Sequence, residues 1–187
     1  MTEPILSVEC HEKDGTIIRH VYPFVHTRES LNKFYEKSKD LKTIFSREFF
    51  GDYERFMSTF FTKDEKGDPV PQGLFWVVDD FVGMFYLTDI YPSIDAQAHY
   101  LFFDKKHYGR EELTKEMLKY LFNTYSFHRL SVELPNYASP STRRFIMNIG
   151  FSYEGKKRQS NILNNAWFDT NLYGVLKQDL VQNEVKD

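Results

Sequence analysis

The clearest chemical grouping in the chain is one turn, Asp104-Lys105-Lys106-His107-Tyr108-Gly109-Arg110. It follows the apolar run Tyr100-Leu101-Phe102-Phe103 and precedes Glu111, where a helical pattern begins. A strand that ends in a glycine turn and opens a helix gathers several unbonded backbone N–H groups at one point. With the positive end of the helix dipole, such groups hold phosphate. Lys105, Lys106, Arg110 and His107 stand against Asp104, Glu111 and Glu112. The charge balance alone therefore does not decide for or against an anion. Acids in a first turn also stabilise the empty helix.

The flanking elements have to position this turn. Downstream, Leu113, Met117, Leu118, Leu121, Phe122 and Tyr125 fall at helical spacing, which predicts a helix over 111–125. Residues 127–134 return as a strand ended by Pro135, and a strand–helix–strand unit of this length is a right-handed parallel crossover. Ser139-Pro140 is an N-cap followed by proline at the first helical position, so a short helix runs from there to Ile149, where Gly150 ends it. Strands follow over 151–157 and 166–176, joined by a turn around 161–165.

Upstream, Asp14-Gly15 marks a hairpin between strands 5–10 and 16–22. Thr27 or Ser30 caps a helix to about residue 39, and Asp52 caps another through 61. Residues 62–73, with Pro69 and Pro71, form a loop. A meander of strands covers 74–78, 81–87 and 96–103. The fold class is α/β: a mixed, mostly antiparallel twisted sheet of six or seven strands flanked by helices. Residues 1–177 form one domain, with 1–15 beginning an extra hairpin, and the polar tail 178–187 is expected to fray.

Composition bounds the function. The 187 residues are 27% charged and 41% apolar, ordinary for a globular domain. The 18 Phe and 12 Tyr are an excess that points to an aromatic core, with an exposed aromatic groove or interface as the other reading. A net charge of −3 gives no bulk argument for nucleic acid or a membrane surface. No apolar run approaches the ~20 residues of a membrane span. The single cysteine, Cys10, suits a reducing compartment, the start Met-Thr-Glu-Pro lacks the form of a secretion signal, and a cytoplasmic protein is expected. The histidines are scattered, without metal-ligand spacing.

Three short motifs lie along the chain in a fixed order. They are Asp79-Asp80-Phe81-Val82-Gly83; Lys106-His107-Tyr108-Gly109-Arg110-Glu111; and the run from Thr142 to Gly150-Phe151, followed by Tyr153-Glu154-Gly155. With the order of elements, they resemble the GCN5-related N-acetyltransferase (GNAT) family over roughly residues 16–177, most closely its branch acting on protein N-termini, ribosomal proteins and small amines. The first matches the family's meander turn. The second stands where the family has Gln/Arg-x-x-Gly-x-Gly/Ala. The third matches a small hydroxyl residue followed eight positions later by Gly-Phe.

The resemblance implies direct transfer of an acetyl group from acetyl-CoA, as co-substrate, to an amine of a protein or small molecule. Its pantetheine arm would run beside Tyr100, Leu101, Phe102 and Phe103. Its pyrophosphate would meet the amides of His107, Tyr108, Gly109, Arg110 and Glu111, with Lys106 as a further donor. Thr142 would lie near the far end, and Asn136 would stand in for an Asn that the family often has at the position of Ser139. The chain departs from the pattern at Glu111, where the family has a small residue, at Ala98, where one branch has a Glu, and at Ile146, where others have a Tyr acid. The acid–base candidates that remain are His99, Tyr100 and Glu133, with Asp89 beside them. Each also has a plain structural reading, as a packed histidine, a core tyrosine or a solvated sheet-edge acid. The second functional reading is a GNAT-fold binding or assembly module with weak or no acetyl-CoA binding. A homodimer is compatible with the opening hairpin and the aromatic content.

Overall fold

The computed structural model describes residues 3–12, 15–39, 41, 52–103 and 109–183. The chain opens on a hairpin of β1 (Leu6–Glu12) and β2 (Gly15–Pro23), with Glu12 opposite Gly15. Helix α1 (Arg28–Ser38) begins in a reciprocal cap. Thr27 Oγ1 accepts from the Ser30 N–H at 3.1 Å, and Ser30 Oγ accepts from the Thr27 N–H at 2.9 Å. Helix α2 (Tyr53–Phe60) starts on Asp52, whose carboxylate accepts from the Arg55 N–H at 3.0 Å.

Two three-residue strands, β3 (Phe61–Lys63) and β4 (Pro69–Pro71), pair within the segment expected as loop. The meander is β5 (Leu74–Val78), β6 (Gly83–Tyr91) and β7 (Asp95–Phe102). Helix α3 (Arg110–Tyr125) carries the chain to β8 (Arg129–Pro135), which runs parallel to β7 as the crossover rule requires. Helix α4 (Pro140–Asn148) starts on Ser139, and β9 (Ser152–Leu163), β10 (Ala166–Leu176) and α5 (Lys177–Asn183) complete the fold.

One sheet has the order β1-β2-β5-β6-β7-β8-β10-β9, with β3 and β4 apart from it. It has eight strands rather than six or seven because the opening hairpin joins it, through Val21 opposite Val78 and Tyr22 opposite Val77. Strand β9 runs further than expected, since the turn before β10 needs only Asn164 and Asn165, both at positive φ (53° and 62°). The tail expected to fray is helical through Asn183. The Leu176 N–H donates to the Asp179 carboxylate at 2.9 Å, and Leu180 packs on the core.

The two faces of the sheet are covered by different chemistry. On one, Leu113, Met117, Leu118, Leu121 and Phe122 of α3 pack on Val21, Phe85, Leu87, Ala98 and Leu130. On the other, Phe34, Phe56 and Phe60 of α1 and α2 pack on Phe75, Met84, Tyr86 and Leu101. Phe34 meets Phe56 and Phe60 edge-on, at 5.1 and 5.2 Å between ring centroids. Such pairs contribute about 0.5–1.5 kcal/mol each beyond burial. The aromatic excess is thus shared between the packing on the two faces of the sheet.

Candidate active site

Strand β7 is paired differently on its two sides. Against β6 its register runs from Gln97 to Phe102 without a break. Against β8 it has three rungs only, Asp95–Arg129, Ala96–Leu130 and Gln97–Ser131. The Phe103 N–H donates to the Val82 carbonyl at 2.9 Å, on the β6 side. Backbone groups alternate along a strand, so Tyr100 and Phe102 direct their N–H and C=O toward β8, where the ladder has already ended. An interior strand edge is open there.

The far end of the β7–β8 ladder is held by charge. Arg129 reaches Asp95 on β7 and Glu154 on β9. Gly174 makes room for it, since a Cβ there would stand 2.3 Å from Glu154 Oε1 and 2.8 Å from Arg129 Nη2. Because β7 and β8 are parallel, α3 and α4 both begin at the open end. In α/β sheets, ligands gather outside the carboxyl ends of parallel strands.

Helix α3 starts at Gly109, in the left-handed region at φ +73°, with no side-chain cap. A Cβ there would come within 2.5 Å of Cys10 Cβ, so glycine is required by space as well as by φ. The Leu113 N–H donates to the Gly109 carbonyl at 3.0 Å, and the amides of the turn before it have no intrahelical acceptor. Arg110 lies over the Phe102 ring at 5.1 Å. Glu111, which would crowd a phosphate if it turned forward, is drawn sideways and accepts from Asn148 Nδ2 at 2.9 Å. Glu112 turns to His11 Nδ1 at 3.2 Å, and its Oε2 lies 2.9 Å from where a Gly109 Cβ would be. It is therefore Glu112 that approaches the helix start. Lys105, Lys106, His107 and Tyr108 lie outside the described residues.

Asn136 and Thr142 belong to the start of α4. The Asn136 N–H donates to the Asp169 carbonyl at 2.9 Å and its own carbonyl accepts from Arg143. The Thr142 N–H donates to Ser139 Oγ at 3.1 Å, and the two hydroxyls share a bond at 2.8 Å.

The three acid–base candidates fall into different environments. His99 faces α1 and α2. Its ring stacks on Tyr86 at 4.3 Å and Nε2 shares a hydrogen bond with Thr88 Oγ1 at 2.8 Å. Burial lowers its pKa to about 4, so it is a neutral, packed histidine near neutral pH. Tyr100 points to the opposite face, edge-on to Phe85, Phe145 and Phe151. Its hydroxyl is buried and finds no hydrogen-bond partner among the described residues, and burial pushes its pKa up. Glu133 shares the face of His99, keeps 33% side-chain exposure, and pairs with Lys157 from β9. Asp89, at φ +47°, lies in the irregular stretch where the β6–β7 register shifts. Ile146, in place of a tyrosine acid, is buried.

Sequence reasoning missed Lys157, Arg129 and Asn148. Each acts across strands or helices that are distant along the chain, and no local pattern marks them. Among the described residues no three His, Cys, Asp or Glu side chains cluster as a metal would require, and no helix is long and apolar enough to cross a membrane.

The sequence matches no protein-family model and no curated protein. Solved structures do match the fold. Spermidine N-acetyltransferase from Vibrio cholerae, in complex with CoA and spermine, superposes with a TM-score of 0.68 at 15% identity, over 86% of this chain and 98% of its own. An acetyltransferase of the GNAT family from Bacillus anthracis gives 0.62 at 16% identity, over 92% and 99%. A chimera of the Vibrio enzyme gives 0.66 at 17%, over 86% and 98%. The chain has the GNAT fold.

Proposed function

We propose that this protein is an acetyl-CoA-dependent N-acetyltransferase acting by direct transfer to a primary amine. The observation that carries this reading is the conjunction of the open β7 edge at Tyr100 and Phe102 with the uncapped start of α3 beyond it. An extended chain can add to such an edge as a strand, and its phosphates can reach the helix start. The Vibrio neighbour, a spermidine acetyltransferase seen with CoA and spermine, supports a small-molecule amine as acceptor.

The residues fit acetyl-CoA. Tyr100, Leu101, Phe102 and Phe103 would flank its arm, with the Tyr100 and Phe102 backbone making the hydrogen bonds. Gly109, Arg110 and Glu111 would offer amides to its pyrophosphate, with Asn136 and Thr142 at the start of α4. Bound there, the co-substrate supplies an activated acetyl thioester. The chain supplies two proton sites on opposite faces of the sheet. The Tyr100 hydroxyl, kept protonated by burial, is a donor without an acceptor among the described residues. A ligand atom beside it would relieve about 1–3 kcal/mol of unmet hydrogen bonding. The Glu133 carboxylate, half-exposed on the α1–α2 side, is the acceptor for a proton from the attacking amine. His99 is left out of the acid–base pair because its ring is stacked on Tyr86 and its Nε2 is engaged by Thr88.

One observation favours a second reading, a binding module without turnover: the Glu112 carboxylate folds back toward Gly109, where it competes with a phosphate. One titration separates the two. Acetyl-CoA at 100 times its Kd should raise stability by about 2.7 kcal/mol. That is about 5–10 °C in Tm for a domain of this size. No shift at millimolar acetyl-CoA rejects the enzyme reading.

A further inference from the structure

We infer that Lys157 is a resident stand-in for the acceptor ammonium, seated on Glu133 and displaced when an alkylammonium acceptor binds. The inference rests on the acetyltransferase reading above and names the chemistry of its acceptor side.

Past the last β7–β8 rung, the gap is lined on β7 by residues 98–102 and on β8 by Val132, Glu133, Leu134 and Pro135. Glu133 is the carboxylate in that set. In the parallel register it follows Ser131 by two residues, so it shares the face of Gln97 and His99, opposite to Tyr100. A carboxylate at this place is where a cationic amine would settle before losing its proton. The place is already taken. Lys157 reaches Glu133 from β9, two strands away in the sheet order, passing over β10. The registers align the path: Glu133 lies opposite Leu172, Leu172 opposite Gly155, and Lys157 opposite Thr170. Gly155, beside Lys157 on β9, adds no side chain to crowd this path, as the site of its missing Cβ is open.

The neighbouring Lys156 shows the contrast. It points to the other side of β9 and pairs with Asp169 at 2.8 Å, away from the gap. Lys157 is half-exposed, so leaving Glu133 for water costs it little. The seat holds one primary ammonium on an alkyl stem, and an acceptor of the same form exchanges with it.

The test is calorimetric titration of the whole chain with n-pentylamine, without and with acetyl-CoA. Lys157→Met should bind the amine about two- to fivefold more tightly, the factor an ion pair of this exposure is worth. Glu133→Gln should lose measurable binding. Lys156→Met makes the same change in net charge and should leave the affinity as it is. If Lys157→Met binds no more tightly than the native chain, or if Lys156→Met gains as much, Lys157 is not the stand-in. The acetyltransferase reading fails separately: acetyl-CoA then binds none of the variants, while the order of amine affinities still stands or falls without it.

Discussion

The two sides of β7 make the most instructive contrast in the molecule. Toward β6 the strand is zipped from Gln97 to Phe102, above rings and aliphatic chains that are almost wholly buried. Toward β8 it is zipped for three residues and then left open. The same residues serve both sides. Tyr100 gives its side chain to the packed α3–α4 face while its backbone faces the gap. Packing is therefore concentrated on the closed side and free backbone hydrogen-bonding groups on the open side, within one strand.

Substitutions can break this division. The largest effect is expected on the closed side. Phe85, 1% exposed on β6, packs against Tyr100 and Phe102. Phe85→Ala should cost about 3–5 kcal/mol in urea denaturation. A loss below about 1 kcal/mol would mean that this side does not hold the strand. The next effect is a pH dependence from His99. Its folded pKa of about 4 lies below the ordinary histidine value of 6.5, so the unfolded chain binds more protons between those values. Stability is fully present above pH 6.5 and falls as the pH drops toward 4. About 2 kcal/mol should be lost between pH 7 and pH 5, and His99→Gln should remove that slope. A slope unchanged in the variant would place the titration elsewhere.

The smallest effect on stability is the sharpest on function. Tyr100→Phe removes a buried hydroxyl that has no partner among the described residues, so the fold should be as stable as before or up to about 1 kcal/mol more stable. Turnover should drop at least about tenfold if the hydroxyl is a proton donor. A clear loss of stability with turnover intact would reverse the assignment.

Much of the fold is legible in the sequence because its signals are local. Thr27, Asp52 and Ser139 cap the helices that they were expected to cap, and Gly109 and Gly150 stand at helix ends with positive φ. The β3–β4 pair is not legible, since Pro69 and Pro71 in so short a strand read as loop. The site is legible only where it is backbone. The strand, the glycine turn and the helix start are all local. The early end of the β7–β8 ladder is not, because divergence of two strands is a property of the whole sheet. Side chains that cross elements are equally hidden. Glu111 turns to Asn148 rather than to the helix axis, and Lys157 finds Glu133 across β10.

The opening beside β7 also bears on aggregation. An unpaired strand edge is a template for other chains. The outer edges of this sheet are β1 and β9, and β9 carries Lys156, Lys157 and Arg158 in succession, charges that discourage a second sheet from docking. The inner edge at Tyr100 and Phe102 needs no such guard. It faces β8 across a cleft closed at one end by the Gln97–Ser131 rung, which leaves room for a single extended molecule but not for a foreign sheet. The β9 edge is guarded by charge and the inner one by shape.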